Sequence, residues 1–136
     1  MQELWAEEVG SFHGRYVDIE ESWLFPKPIQ APHPPILIGG KGPTAIRHLA
    51  EFADGWMPMA GFSDERKKMV NEELQRVGRS IDQVDVTVFG PRPETSVLKR
   101  YQAIGVDRVV VSLETVDRDN ALRALDECDK LTSPFR

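Results

Sequence analysis

The sequence predicts an α/β fold built from four consecutive strand–helix units. Three observations carry this expectation. Short continuous apolar runs, the pattern of strands buried on both faces, recur four times from Pro35 onward. Each run is followed by a stretch whose apolar residues return at helical spacing. The intervals between runs are long enough for the helical crossovers that parallel pairing requires.

In chain order, Leu4, Trp5 and Val9 suit the end of a helix, with Gly10 as its stop. Phe12, Tyr16 and Val17 then flank the His13-Gly14 pair, as in a short hairpin or surface excursion. Five of the ten prolines lie between Pro26 and Pro35. Each removes a backbone donor and restricts its predecessor, which predicts an extended, irregular connector over 20–34.

The first buried strand falls on 36–38 and ends in Gly39-Gly40-Lys41-Gly42. Pro43 stands where a first helical residue is favoured, opening a helix over 44–52 with Ala45, Ile46, Leu49, Ala50 and Phe52 inward. A second strand is expected at 55–58. Ser63 caps a charged helix over 64–77 that turns Met69, Val70, Leu74 and Val77 inward, and Gly78 stops it. A third strand, 84–89, closes at Gly90-Pro91, and a helix from Glu94 to Ile104 ends at Gly105. The fourth strand, 107–113, contains Val109-Val110-Val111. Asp117 caps a last helix whose apolar stripe is Ala121, Leu122, Ala124, Leu125, Cys128 and Leu131. Two closures satisfy this order: an open doubly wound sheet, or part of a (β/α)8 barrel. A complete barrel usually needs about 250 residues, and this chain has 136 with four of the eight strands.

Composition narrows the function classes. One domain's worth of chain, 40% apolar and 29% charged, is not disordered by composition. Seventeen Lys+Arg against twenty-two Asp+Glu leave −5, which argues against a nucleic-acid partner because phosphate binding needs a basic face. No apolar run approaches the ~20 residues of a membrane span. The opening MQELWAEEVG has no cationic start to a signal peptide, so no membrane association and a cytoplasmic location are expected. A single cysteine, Cys128, excludes an internal disulfide and any CxxC metal site.

The segment Gly39-Gly40-Lys41-Gly42-Pro43-Thr44-Ala45 carries the strongest local chemistry. A strand that ends in glycines and opens a helix presents unpaired N–H groups at the helix's positive end. Lys41 and Thr44 add a cation and a hydroxyl, so the segment suits a phosphate. The competing reading is a glycine-rich turn that merely permits close packing. A P-loop is excluded, because Lys41 precedes Gly42 instead of following the last glycine. Gly40-x-Gly42-x-x-Ala45 matches the dinucleotide fingerprint, but the next strand ends in Met57-Pro58 with no acidic residue for a ribose.

Phe12-His13-Gly14-Arg15-Tyr16, Phe25-Pro26-Lys27-Pro28-Ile29-Gln30, His33-Pro34-Pro35-Ile36, Gly39-Gly40 and Ala53-Asp54-Gly55-Trp56-Met57-Pro58, in that order and spacing, resemble the bacterial-luciferase-like oxidoreductases. The wording is most similar to the branch that uses the deazaflavin coenzyme F-420. The resemblance implies the C-terminal half of a (β/α)8 TIM barrel, preceded by a helix, hairpin and proline-rich connector. It divides the chain into an insertion region and connector over 1–34, four βα units over 35–131 and a tail over 132–136. It also implies that Gly39, Gly40, Lys41, Gly42 and Thr44 hold the cofactor phosphate, and that Met57, Pro58, Met59 and Ala60 line the substrate pocket. Coenzyme F-420 is favoured as cofactor and FMN is the alternative. Oxidoreductase or monooxygenase activity on a small-molecule substrate is expected. The family's residues around the reactive ring come largely from the first four strands, so no catalytic acid or base is nominated here.

The remaining candidates have plainer readings. His13 lies in a turn, His33 among prolines and His48 on the outer side of its helix; none shares a metal site's spacing with another. Glu114 follows the fourth strand and Ser112 lies near that strand's end; a carboxylate at the C-terminal end of a barrel strand reads as catalytic, but a capping or loop role is the ordinary one for both. Arg66-Lys67-Lys68 reads as a solvated helix face and Cys128 as a small core residue. A half-barrel leaves two unpaired edges. The partner expectation is therefore a homodimer, or pairing with an N-terminal half-barrel. A non-catalytic binding or dimerisation module and a Rossmann-like dinucleotide binder are the alternatives to the enzyme.

Overall fold

The computed structural model describes residues 1–59, 61–91, 94–113 and 117–135. The chain divides between Pro35 and Ile36 into two compact units.

In the first unit a short helix, α1 (Gln2–Ala6), precedes strands β1 (Gly10–His13) and β2 (Asp18–Ser22). The helix stops earlier than expected, and Gly10 begins a strand instead of ending a helix. The two strands form the antiparallel hairpin, with His13 opposite Asp18 and their side chains 2.5 Å apart. Since β2 runs to Ser22, the irregular connector starts after it. Within the unit, the Lys27 ammonium donates to the carbonyls of Leu4 (2.8 Å) and Glu7, holding the end of α1. His33 stacks on Trp5 and shares a hydrogen bond with Gln2, so its role here is structural.

The second unit realises the four strand–helix repeats: β3 (Leu37–Gly39), α2 (Pro43–Glu51), β4 (Gly55–Met57), α3 (Asp64–Gln75), β5 (Asp85–Phe89), α4 (Thr95–Ala103), β6 (Arg108–Val110) and α5 (Arg118–Thr132). The strands are parallel and lie in the order β3-β4-β5-β6. This order is sequential. Among the described residues it contains no reversal, and so no switch point of the kind at which a Rossmann sheet binds a dinucleotide.

Register assigns the faces, because parallel partners point the same way and neighbours along a strand alternate. Ile38, Trp56, Val86, Val88 and Val109 belong to the helix-covered side and join the core with Leu49, Phe62, Val70, Leu74 and Tyr101. Leu37, Gly39, Gly55, Met57, Asp85, Thr87, Phe89, Arg108 and Val110 share the other face. That face mixes apolar and charged groups: Thr87 donates to Asp85 at 2.8 Å, and Arg108 lies 3.5 Å from the Asp85 carboxylate. A doubly wound sheet would bury this face under further helices; the parallel sheet with helices on one side is a partial barrel.

The helix stripes are narrower than their spacing suggests. On α3 only Val70 and Leu74 are buried, while Met69 and Val77 are exposed and line a groove of about 450 Å³ between α2 and α3. Phe52, expected inward, is exposed and stacks with His48. α5 buries no residue, and Cys128 is half-buried on it rather than in the core. Its flank beyond β6 has no further strand to pack against among the described residues. Among the described residues no helix is long and apolar enough to cross a membrane.

Candidate functional site

β3 ends at Gly39, and Gly40 turns the chain with φ +93°, a left-handed conformation that favours glycine. Gly42 is the N-cap of α2 in extended conformation (φ −82°, ψ 167°), and Pro43 follows at the first helical position. No side chain caps this start and no acidic residue lies in its first turn. The Ile46 amide meets the Gly42 carbonyl at 3.2 Å, whereas no acceptor among the described residues meets the amides of Thr44 and Ala45. Residues 39–44 are exposed, and a Cβ on Gly42 would meet nothing within 4 Å. This differs from α3, capped by Ser63 with Asp64 and Glu65 behind it, and from α5, capped by Asp117. The corner is open, and no acidic residue in the first turn of α2 offsets its dipole.

Trp56 sets the shape of this corner. Its indole lies edge-on to Phe62 beneath the sheet, and its Nε1 donates to the Gly40 carbonyl at 2.7 Å. Trp56 therefore belongs to the packed side and acts on the turn from behind. On the opposite face Gly39 pairs with Met57, which is half-buried. Pro58 is buried and its carbonyl accepts the Phe89 amide at 3.0 Å, while Met59 is exposed and bridges to Phe89. Ala60 lies outside the described residues. The parallel topology thus brings the glycine turn and 57–59 to the same end of the sheet, the C-terminal end of the strands.

Phe89 is the residue the sequence reading passed over. It is exposed at the end of β5, on the same face as Met57 and Val110. Alternation within the run Val84–Phe89 was the signal for it. Gly90 follows with φ +77° and donates to the Val110 carbonyl at 2.9 Å, with the Ser112 hydroxyl beside it.

The other candidates are placed away from this corner. His13 sits in the hairpin against Asp18. Glu114 lies outside the described residues. Lys67 is not simply a solvated cation: it is half-buried and donates to the Ile104 carbonyl at 3.0 Å, tying α3 to the end of α4. Among the described residues no three His, Cys, Asp or Glu side chains converge as a metal site. At the opposite end of the sheet, Asp54 accepts the Ile36 amide (2.7 Å) and Asp107 the Val86 amide (2.8 Å). These two carboxylates lace adjacent strands where a barrel's conservation reads as stability. Glu65 is held below the ordinary carboxylate range, first by its backbone hydrogen bond and then by the Ser63 hydroxyl, which is a helix-start effect.

The corner presents backbone amides, a helix dipole and one cation, a set whose chemistry suits an anion; residues 39–44 and 57–59 include no carboxylate, imidazole or thiol.

Comparison with known proteins gives the context. A model of the luciferase-like monooxygenase family matches residues 1–92. An uncharacterized Mycobacterium tuberculosis protein, Rv0953c (strain ATCC 25618 / H37Rv), is 30% identical over 89% of this chain, which spans only 43% of that protein. The F420-dependent glucose-6-phosphate dehydrogenase of Microbacterium testaceum (strain StLB037) is 29% identical over 62% of this chain and 26% of its own length. The FMNH(2)-dependent dimethylsulfone monooxygenase of Pseudomonas putida is 26% identical over 89% of this chain and 28% of its own. Among solved structures, an F420-dependent secondary alcohol dehydrogenase in complex with an F420-acetone adduct superposes with a TM-score of 0.68 at 12% identity, over 96% of this chain and 58% of that one. The chain thus spans less than half the length of these curated relatives. With two thirds of its residues under the family model and the parallel strand–helix order in place, the chain belongs to the luciferase-like monooxygenase family.

Proposed function

We propose that this chain supplies the C-terminal half-barrel of a cytoplasmic luciferase-like oxidoreductase, and that Gly39, Gly40, Lys41, Gly42 and Thr44 hold the phosphate of its reduced cofactor. The observation that carries the reading is the open start of α2: uncapped, free of acids, and facing the end of the sheet where barrel enzymes build their sites. Coenzyme F-420 is favoured, because relatives of that dependence recur in sequence and in fold; FMN is the alternative that the FMNH(2)-dependent relative supports.

When bound, such a cofactor supplies a hydride to a small-molecule substrate or, as a reduced flavin, activates oxygen. The residues of this chain bind and orient. The amides of Thr44 and Ala45 point at the anion, the Thr44 hydroxyl donates to it, and Lys41 offsets its charge. Met57, Pro58, Met59 and Ala60 contribute one wall of the substrate pocket, with Pro58 as the buried spacer between the two methionines. Groups that exchange protons with substrate come from outside this chain's nominated residues.

Fluorescence titration tests the reading. The folded chain is expected to bind FMN more tightly than riboflavin, which lacks the phosphate, and to bind coenzyme F-420 at the same site. Gly42→Asp places a carboxylate in the corner with room to spare. It is expected to abolish the FMN-over-riboflavin preference while leaving the fold intact. A preference that survives Gly42→Asp, or no preference in the parent chain, overturns the proposal.

A further inference from the structure

Resting on the reading of the site proposed above, we infer that Phe89 determines the substrate class: with Met59 and Val110 it forms an apolar platform against which an uncharged alkyl or aryl part of the substrate lies. The direction of the Phe89 ring is set by the strand ladder. Val88 before it is fully buried on the helix-covered side, so Phe89 takes the opposite, inward face. Its amide donates to the Pro58 carbonyl at 3.0 Å, and the amide of Gly90 donates to the Val110 carbonyl at 2.9 Å. The chain on either side therefore holds this backbone in place. Gly90 then ends the strand with φ +77°. Phe89 is thus the last inward residue of β5, at the end of the sheet where barrel enzymes build their sites.

Register arranges the inward face in levels. Leu37, Gly55 and Asp85 form the lowest, Gly39 and Met57 with Thr87 and Arg108 the next, and Met59, Phe89 and Val110 the highest. The polar groups sit below and are turned to one another. Thr87 donates to Asp85 at 2.8 Å, and the Arg108 guanidinium lies 3.5 Å from both the Thr87 hydroxyl and the Asp85 carboxylate. The highest level carries a thioether, an aromatic ring and a branched aliphatic side chain, and the Phe89 and Gly90 amides beside it are already bonded. Such a surface offers apolar area and dispersion contacts, not hydrogen bonds.

The anion corner lies elsewhere on the same end of the sheet. It follows β3, which is two strands from β5, or roughly 10 Å at the spacing of neighbouring strands. Lys41 and the amides of Thr44 and Ala45 belong to that corner. A phosphate carried by the substrate would meet no cation at the level of the platform among the described residues, and its desolvation there would oppose binding. An alkyl or aryl group gains by leaving water at the same place.

NMR titration of the FMN-saturated chain tests the inference. Cyclohexanol is expected to shift the Met59 methyl and Phe89 ring resonances, and glucose 6-phosphate at equal concentration to leave both in place. Phe89→Ala, folded by far-UV dichroism, is expected to weaken cyclohexanol binding about tenfold. Phe89→Leu, which keeps an apolar side chain, is expected to weaken it less. The shifts in the parent chain decide the matter even where a variant fails to fold. The FMN-over-riboflavin preference separates this inference from the phosphate assignment: its absence overturns that assignment, while the same titrations of the FMN-free chain still read the platform. Glucose 6-phosphate moving these resonances as strongly as cyclohexanol, cyclohexanol leaving them in place, or a folded Phe89→Ala that binds cyclohexanol as the parent does would overturn the inference.

Discussion

The indole of Trp56 donates its N–H to the carbonyl of Gly40 at 2.7 Å, so a core aromatic on one face of the sheet holds the turn on its end. The link runs from packing to site. Trp56 is fully buried against Phe62, which fixes where its Nε1 can reach. Gly40 must keep φ +93° for the following residues to open α2. Trp56→Phe keeps an aromatic ring beside Phe62 but removes the donor. It is expected to cost about 1–3 kcal/mol in urea unfolding, from the lost hydrogen bond and the smaller ring. Amide exchange at Lys41 and Gly42 is expected to accelerate by more than that global loss explains. Equal slowing or speeding across the whole chain would mean that Trp56 packs without positioning the turn.

Lys41 is an exposed cation at a helix start whose first turn lacks acids. Its contribution to anion binding is then largely unshielded by the chain and screened by salt. Lys41→Ala is expected to weaken FMN binding about tenfold at low ionic strength, and the deficit is expected to shrink as salt approaches 0.5 M. Stability in urea is expected to be unchanged. A salt-independent loss of binding would assign the effect to altered turn geometry rather than charge.

Gly55 leaves no room for a side chain between β3 and β5. A Cβ there would lie 2.8 Å from the Asp85 carbonyl oxygen and 2.3 Å from Leu37 Cδ2. The leucine tip can move; the backbone of β5 cannot move without opening the β4–β5 ladder. Gly55→Ala is expected to destabilise by about 2–3 kcal/mol. Gly42→Ala, with open space around it, is expected to fall within about 0.5 kcal/mol of the parent. Parallel urea titrations of the two variants check the contrast.

Arg79 closes the far end of α2. Its guanidinium donates to the carbonyls of Leu49 (2.6 Å) and Ala50 (3.3 Å), which the helix end leaves without intrahelical partners, and to that of Ala53 (2.8 Å) just beyond the helix. The planar fork reaches all three at once. Arg79→Ala is expected to cost about 2–4 kcal/mol. Arg79→Lys is expected to recover less than half of that, since an ammonium keeps the charge but not the fork. Thermal unfolding of both variants measures the difference, and full recovery by lysine would reduce the interaction to charge alone.

Arg79 also marks the boundary of what the sequence makes legible. The four repeats were visible in the spacing of apolar runs and glycines, because burial on two faces and a helical stripe each leave a period in the chain. The open corner was visible for the same reason: Gly39-Gly40-Lys41-Gly42-Pro43 states both the turn and the helix start locally. What stayed hidden depends on partners distant in sequence. Arg79 bonds carbonyls, which every residue has, so no residue type 26–30 positions away announces it. Lys67 on the Ile104 carbonyl is hidden likewise. The exposure of Met69, Val77 and the α5 leucines was misread because periodicity shows which residues share a helix face, not whether a neighbour covers it.

Asp117 gives the chain a pH-dependent helix start. Its carboxylate accepts the backbone amides of Asn120 and Asp119, each at 3.1 Å, and the Asn120 side chain at 2.5 Å. These donors, the Asn120 amide first, hold its pKa below the ordinary value of 3.8. A carboxylate depressed in the folded state contributes its full stabilisation above the unfolded value, and loses it as pH falls through the lower folded one. The first turn of α5 is therefore expected to be fully formed at neutral pH and to fray on acidification, at a midpoint below that of a free aspartate. Following the Asn120 amide resonance against pH locates the midpoint directly. Asp117→Asn keeps an acceptor at the cap but does not titrate, so its Asn120 resonance is expected to stay flat over the same range. A midpoint at or above the free-aspartate value, or an identical curve in Asp117→Asn, would show that another carboxylate governs the start of this helix.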